Sequence, residues 1–250
     1  MPRYFIEVSY KGTNYAGFQV QQNANTIQGE VEKALQIYFR TNFQLTGSSR
    51  TDAGVHAKQN FFHFDYVLLF SSEILNKAVY HLNAILPNDI VVKSVSQVAD
   101  STHCRFDAVS RTYQYTVFQN KDPFLQDRAY HYPYKLNIEK LQQAAETLIS
   151  YTDFESFAKK NNQAFTNQCN IFHSQWSNPQ DCLIYTVTAN RFLRGMVRGL
   201  VGTMLKVGRE ITDIQDFKKI IENKDPSKAD FSTPPQGLTL ISVNFPKQNS

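Results

Sequence analysis

The chain has 250 residues, with 26 Lys and Arg against 22 Asp and Glu, 42% hydrophobic and 19% charged. This length suffices to bury a sizeable core in one large domain or two small ones, and ordinary apolar content at a net charge of +4 excludes global disorder. The longest strong apolar run, Val67 to Phe70, falls far short of the roughly 18 residues that a membrane-spanning helix needs.

From the N-terminus, MPRYFIEVSY alternates without a continuous apolar core, which predicts a strand over Tyr4 to Tyr10 and no signal peptide. Thr26 is an N-cap candidate for a helix carrying Ile27, Val31, Ala34, Leu35 and Tyr38 at helical spacing. Short strands are predicted over Phe43 to Thr46 and Phe61 to Tyr66, then a helix marked by Leu75, Ala78, Val79 and Leu82. Pro87-Asn88-Asp89 reads as a turn into a strand over Ile90 to Val95. The order is β-α-β-β-α-β, the split pattern of ferredoxin-like folds.

The second half repeats it. Thr112 to Phe118 alternates as a strand, and Asn137 caps a helix with Ile138, Leu141, Ala145 and Leu148. Ile171 to Trp176 and Leu183 to Ala189 read as a hairpin turning at Asn178-Pro179-Gln180-Asp181. Leu193, Val197, Leu200, Val201 and Met204 mark an amphipathic helix. Thr212-Asp213-Ile214-Gln215 reads as a capping box for a short helix stopped before Pro226, and Leu238 to Phe245 is the last strand. These elements predict a duplicated α+β chain, divided at residues 1–105 and 106–250, with a cleft between the halves.

Composition points weakly to a ligand class. Aromatics reach 13%, and a mildly basic, aromatic-rich chain suits nucleic-acid binding through phosphate contacts and stacking. Most Phe is core, however, and no basic tail exists, so any basic surface has to be assembled by folding. Cys104, Cys169 and Cys182 fit a reducing compartment rather than a disulfide scaffold or a zinc site. The six histidines show neither HxH nor HExxH spacing, and no phosphate-binding glycine loop follows a strand.

Three stretches carry the chemistry. Gly47-Ser48-Ser49-Arg50-Thr51-Asp52-Ala53-Gly54-Val55-His56 puts a carboxylate, a guanidinium, three hydroxyls and an imidazole between two strands. Arg191, Arg194 and Arg198 share one face of a predicted helix, beside a stripe of Gly195, Gly199 and Gly202 that implies close approach of another backbone or a substrate. Arg198 lies deepest and needs a partner, which a carboxylate such as Asp52 would supply. Tyr113 and Tyr115 share one strand face, either as an aromatic platform for a base or as half-buried core.

Arg50-Thr51-Asp52-Ala53-Gly54-Val55-His56-Ala57 resembles the signature of the tRNA pseudouridine synthase A (TruA) family. So do Tyr10-Lys11-Gly12-Thr13-Asn14-Tyr15-Ala16-Gly17-Phe18-Gln19, Asn83 to Ile90, and His103-Cys104-Arg105-Phe106-Asp107-Ala108 leading into Arg111 to Tyr115. Phe192 to Arg198 and Pro235-Gln236-Gly237-Leu238 complete a resemblance over nearly the whole chain. It implies the pseudouridine synthase fold, two tandem ferredoxin-like halves in an extended, mostly antiparallel sheet around a central active-site cleft. It further implies a cytoplasmic homodimer that isomerises uridine to pseudouridine at positions 38, 39 and 40 of the tRNA anticodon stem-loop, without cofactor or metal.

The family's catalytic aspartate falls on Asp52, its base-contacting tyrosine on Tyr113 and the arginine that pairs with the aspartate on Arg198. Arg50 matches the motif arginine that holds the flipped-out nucleotide. Cleaving the N1–C1′ bond builds positive charge at C1′, which a carboxylate stabilises or captures. Stacking in a water-poor pocket retains the freed uracil, and phosphate contacts offset the cost of extruding the base. The chain departs from the family pattern at Lys11, Phe18, Ser48-Ser49 and Ala57. The rival reading is a non-catalytic RNA-binding or RNA-folding module of the same fold. A carboxylate glycoside hydrolase ranks last, because the loop supplies a single carboxylate.

Overall fold

The structure, a computed structural model, describes residues 1–67, 69–159, 165–179 and 182–246. Its strands are β1 (Arg3–Tyr10), β2 (Thr46–Gly47), β3 (His56–Asp65), β4 (Ile90–Val98), β5 (Ser110–Phe118), β6 (Tyr130–His131), β7 (Ile171–Ser177), β8 (Cys182–Ala189) and β9 (Leu238–Asn244). Its helices are α1 (Ile27–Phe39), α2 (Ser72–Ile85), α3 (Ile138–Thr147), α4 (Met196–Gly208) and α5 (Ile214–Glu222). The pairs β1–β3, β1–β4, β2–β3, β5–β8 and β7–β8 are antiparallel, and a short β5–β6 contact is parallel. The class is α+β. Two compact units form: residues 1–109 with 240–250, and residues 110–239.

In the first unit the strand order is β4-β1-β3-β9, with β2 beside β3. Tyr4, Ile6 and Val8 of β1 lie opposite Phe64, Phe62 and Asn60 of β3, and all six are buried. The period of two thus makes one apolar face. Helix α1 contributes Ile27, Val31, Ala34 and Leu35 to the core, and α2 contributes Leu75, Ala78 and Leu82. Each fully buried aliphatic side chain stabilises the fold by about 1.5–3 kcal/mol relative to exposure. Both helices start on side-chain caps, Thr26 accepting from Gly29 N–H and Ser71 from Ile74 N–H.

The second unit holds the sheet β5-β8-β7. Alternate residues of β5 and β8 are buried, among them Tyr115, Val117, Tyr185 and Val187. Helix α4 buries eleven of its thirteen residues, which places it in the middle of this core with α3 and α5 against it.

Four local expectations change. Phe43 to Leu45 is not strand: the Leu45 N–H donates to Glu32 Oε1 and its carbonyl accepts from Gln28 Nε2, so α1 side chains take the bonds a ladder would use. Only Thr46–Gly47 pairs with β3. Helix α4 begins at Met196, because Gly195 precedes it in the left-handed region at φ 73°, and Arg191 and Arg194 therefore lie outside the helix. Asp213, not Thr212, caps α5, accepting from Asp216 N–H at 2.7 Å. Finally, α3 stops at Thr147, and Leu148 opens a separate 3-10 turn. Gln180 and Asp181 of the expected hairpin turn, and Leu68 of the apolar run, lie outside the described residues.

Candidate active site

The segment from Ser48 to Val55 joins β2 to β3 in the first unit, and backbone hydrogen bonds hold it on both sides of Asp52. Ser48 N–H donates to the Phe61 carbonyl at 2.8 Å. Asn60, fully buried on β3, receives Ser49 N–H on Oδ1 at 3.3 Å and gives its Nδ2 to the Ser49 carbonyl at 2.8 Å. The same Nδ2 reaches Tyr10 Oη at 3.2 Å, and Tyr10 Oη pairs with Thr51 Oγ1 at 2.8 Å. Phe18 N–H donates to the Thr51 carbonyl at 3.1 Å. Thr51 is thus fixed at hydroxyl and carbonyl, one residue before the carboxylate.

Beyond Asp52 the chain turns at once. Val55 N–H donates to the Asp52 carbonyl at 3.2 Å, and Gly54 takes φ 78° in the third place of the turn, the geometry of a type II turn that favours glycine. The turn is fastened to the segment after β1, where Gly54 N–H donates to the Tyr15 carbonyl and Gly12 N–H donates to His56 Nδ1 at 3.0 Å. A Cβ on Gly12 would stand 2.0 Å from the Val55 carbonyl oxygen, so only glycine allows this approach. As an acceptor, His56 Nδ1 carries no proton, which places the ring proton of neutral His56 on Nε2.

The segment after β1 is itself anchored. Tyr15 Oη donates to Asp89 Oδ1 in a short hydrogen bond, and Lys11 N–H donates to the Asp89 carbonyl at 2.9 Å. Burial, foremost, and Asp89 push the Tyr15 hydroxyl well above the usual phenol range, so Tyr15 is a permanent donor. Phe18 stacks on Phe62 with ring centres 4.4 Å apart and lies against Gly47. Asp52 is half-buried and Arg50 exposed. Among the described residues, the hydroxyls of Ser48 and Ser49 are buried without a hydrogen-bond partner.

Tyr113 and Arg198 belong to the second unit. Tyr113 lies on the buried face of β5 at 8% exposure, its ring edge-on to Phe192 with centres 5.1 Å apart. Arg198, in the first turn of α4, donates from Nε to the Thr233 carbonyl at 2.8 Å, while Thr233 Oγ1 donates to the Arg198 carbonyl. At one of the glycines expected to allow a close approach the neighbour is a backbone: a Cβ on Gly202 would stand 2.2 Å from the Asp230 carbonyl oxygen. Tyr115 shares Tyr113's face but serves structure, donating to the Pro234 carbonyl at 2.7 Å.

One group of possible metal ligands occurs among the described residues: His63, His103 and Cys104, with ligand atoms within 4.8 Å of one another. Sequence spacing could not reveal it, since His63 comes from β3 and the others from the segment after β4. These atoms are already engaged. His63 Nδ1 lies 3.1 Å from Cys104 Sγ and accepts Cys104 N–H, Cys104 Sγ donates to the Thr46 carbonyl, and His103 Nδ1 accepts the N–H groups of Arg105 and Phe106. The cluster pins the segment after β4 to β2 and β3.

A family profile described as tRNA pseudouridine synthase matches residues 6–107 and 144–246. A protein named tRNA pseudouridine synthase A from Parabacteroides distasonis is 42% identical, covering 99% of this chain and 98% of that one. Proteins of the same name from Bacteroides fragilis and Staphylococcus aureus are 42% and 36% identical, over 98% and 96% of this chain and 97% and 90% of theirs. The chain belongs to the tRNA pseudouridine synthase family.

Proposed function

We propose that this chain isomerises uridine to pseudouridine at positions 38, 39 and 40 of the tRNA anticodon stem-loop, as a cytoplasmic homodimer. Asp52 is the catalytic carboxylate, and Arg50, Tyr113 and Arg198 bind the reacting nucleotide. The observation that carries this reading is the intact RTDAGVH stretch, with its aspartate fixed between Thr51 and Val55, in a chain matching the family across both halves.

The reaction is an internal rearrangement. The N1–C1′ bond breaks, the base turns, C5 bonds to C1′, the C5 proton leaves to solvent and N1 gains a proton. Asp52 meets the positive charge developing at C1′. Tyr113 holds the detached uracil against escape, and Arg198 and Arg50 place charge beside the carboxylate and the flipped nucleotide. No electron acceptor or activated donor enters the balance. Among the described residues no helix is long and apolar enough to cross a membrane.

The test is tritium release from tRNA labelled at uracil C5. The native chain is expected to release tritium and Asp52→Asn to release at least 1,000-fold less, a loss on the order of 4 kcal/mol in the barrier. Release unaffected by Asp52→Asn would overturn the assignment. Tight, salt-dependent tRNA binding without release from any tRNA would favour the non-catalytic RNA-binding module. Sedimentation at micromolar concentration tests the dimer.

A further inference from the structure

Beside the catalytic loop the first unit holds a pocket of about 280 Å³, and of its lining residues only Arg50 has a role in the reaction above. Phe18, Leu45 and Gly47 give it an apolar wall, and Arg50, Arg105 and Phe106 also line it. Among the described residues lining it, none is acidic. Two carboxylates adjoining the lining residues are engaged: Asp107 Oδ2 accepts His103 N–H at 2.8 Å, and Glu32 Oε1 accepts from Gln28 Nε2 and Leu45 N–H.

Phe106 is the unusual member. Its side chain is 73% exposed, yet its backbone is fixed. The N–H groups of Arg105 and Phe106 both donate to His103 Nδ1, and Asp107 N–H closes the turn onto the His103 carbonyl. The preceding residue, Cys104, is fully buried and tied to the Thr46 carbonyl and to His63. The His103 ring packs against the Phe106 ring at 4.3 Å, and the Arg105 guanidinium lies 5.7 Å from its centre. An apolar ring is therefore presented to solvent on a turn pinned to β2 and β3, the strands that carry the Asp52 loop. An exposed aromatic face among cationic side chains is the arrangement that binds an unpaired nucleotide, the base stacking on the ring and the phosphate drawn to guanidinium groups.

We propose that Phe106, with Arg105, is a second nucleotide-binding element of the enzyme, next to the Arg50 that serves the reacting nucleotide. It stacks an unpaired base of the RNA flanking the target uridine and holds the adjoining phosphate. This rests on the tRNA-modifying reading above. Phe106 and Arg105 are substrate-positioning residues that take no part in bond making.

The experiment measures tRNA affinity across a salt series, with kcat and KM from tritium release, for the native chain and for Phe106→Ala, Phe106→Trp, Phe106→Leu and Arg105→Ala. Phe106→Ala is expected to weaken binding roughly 5- to 150-fold, the range seen when a base-stacking aromatic is removed, with its salt dependence unchanged. Phe106→Trp restores affinity and Phe106→Leu does not. Arg105→Ala lowers the salt slope by about 0.7–0.9. KM rises in the alanine variants while kcat stays near the native value. Affinity of Phe106→Ala within twofold of native, or full rescue by Phe106→Leu, overturns the proposal. A native chain that neither binds tRNA nor releases tritium instead overturns the reading on which it rests.

Discussion

Asn60 anchors the segment that leads into Asp52 from within the core. It is a polar side chain with no exposed surface, and each of its polar atoms is used: Oδ1 accepts from Ser49 and Phe61 N–H, and Nδ2 donates to the Ser49 carbonyl and Tyr10 Oη. Replacing it by Ala would strand these partners in the core, at about 1–3 kcal/mol for each buried group left unpaired. Asn60→Ala is expected to lower unfolding free energy by about 3 kcal/mol in urea titration. It should also reduce kcat by about 10- to 100-fold, because the loop before Asp52 loses its anchor and sub-ångström displacement is costly to an aligned reaction. An unchanged kcat in the folded variant would show that Asp52 is held without it. The sequence marked Arg50, Thr51 and Asp52 as candidates because polar residues crowd one short loop. It left Asn60 hidden, since a polar residue at the edge of a β-rich run reads as solvent-facing. Only the pairing register, with Val8 opposite Asn60, turns it inward.

At the scale of elements, helix α4 separates what periodicity can and cannot convey. Its apolar repeat was legible, but its start was not, because the left-handed Gly195 ends the incoming segment two residues after the first apolar position, Leu193. Its glycines are spaces for neighbours. A Cβ on Gly202 meets the Asp230 carbonyl oxygen at 2.2 Å, a backbone atom held by the Asp230 N–H bond to Thr203 Oγ1 and the Lys206 ion pair. A Cβ on Gly199 meets the outer edge of the half-buried Phe231 ring at 2.7 Å, which can rotate aside. Alanine gains about 1 kcal/mol of helix propensity at either site, and overpacking costs about 1–3 kcal/mol where the neighbour cannot move. Gly202→Ala is therefore expected to destabilise the chain by about 2 kcal/mol, and Gly199→Ala to lie within about 1 kcal/mol of native. Thermal unfolding of the two variants side by side checks the order, and equal losses would refute the distinction. Phe43 to Leu45 was misleading for the opposite reason. Its alternation is real and Phe43 and Leu45 are buried, but α1 side chains had already taken its backbone bonds.

For the whole molecule, a net charge of +4 says little about folding, whereas the placement of a few titrating groups sets how stability responds to acid. His63 is held down to about 4, chiefly by burial, then by the positive charge of Arg3 and by His103, against a small opposing effect of Asp65. The buried Cys104 thiol faces the same ring, and His103 is lowered as well, again first by burial. The folded chain therefore refuses a proton that the unfolded chain takes up below pH ~6.5. Stability from this source is complete above that pH and is lost as pH falls toward about 4, where folded His63 also protonates. The loss amounts to about 2–3 kcal/mol. Asp65, lowered by its hydrogen bond and ion pair with Arg3, acts in a separate window, its contribution being lost only as pH drops through and below the ordinary carboxylate range. Urea midpoints of the native chain should accordingly decline between pH 6.5 and 4 and fall again under stronger acid. His63→Gln should flatten the first decline, leave the second in place, and lower stability at pH 7 through the lost contacts with Cys104. A first decline of undiminished size in His63→Gln would assign it to other groups.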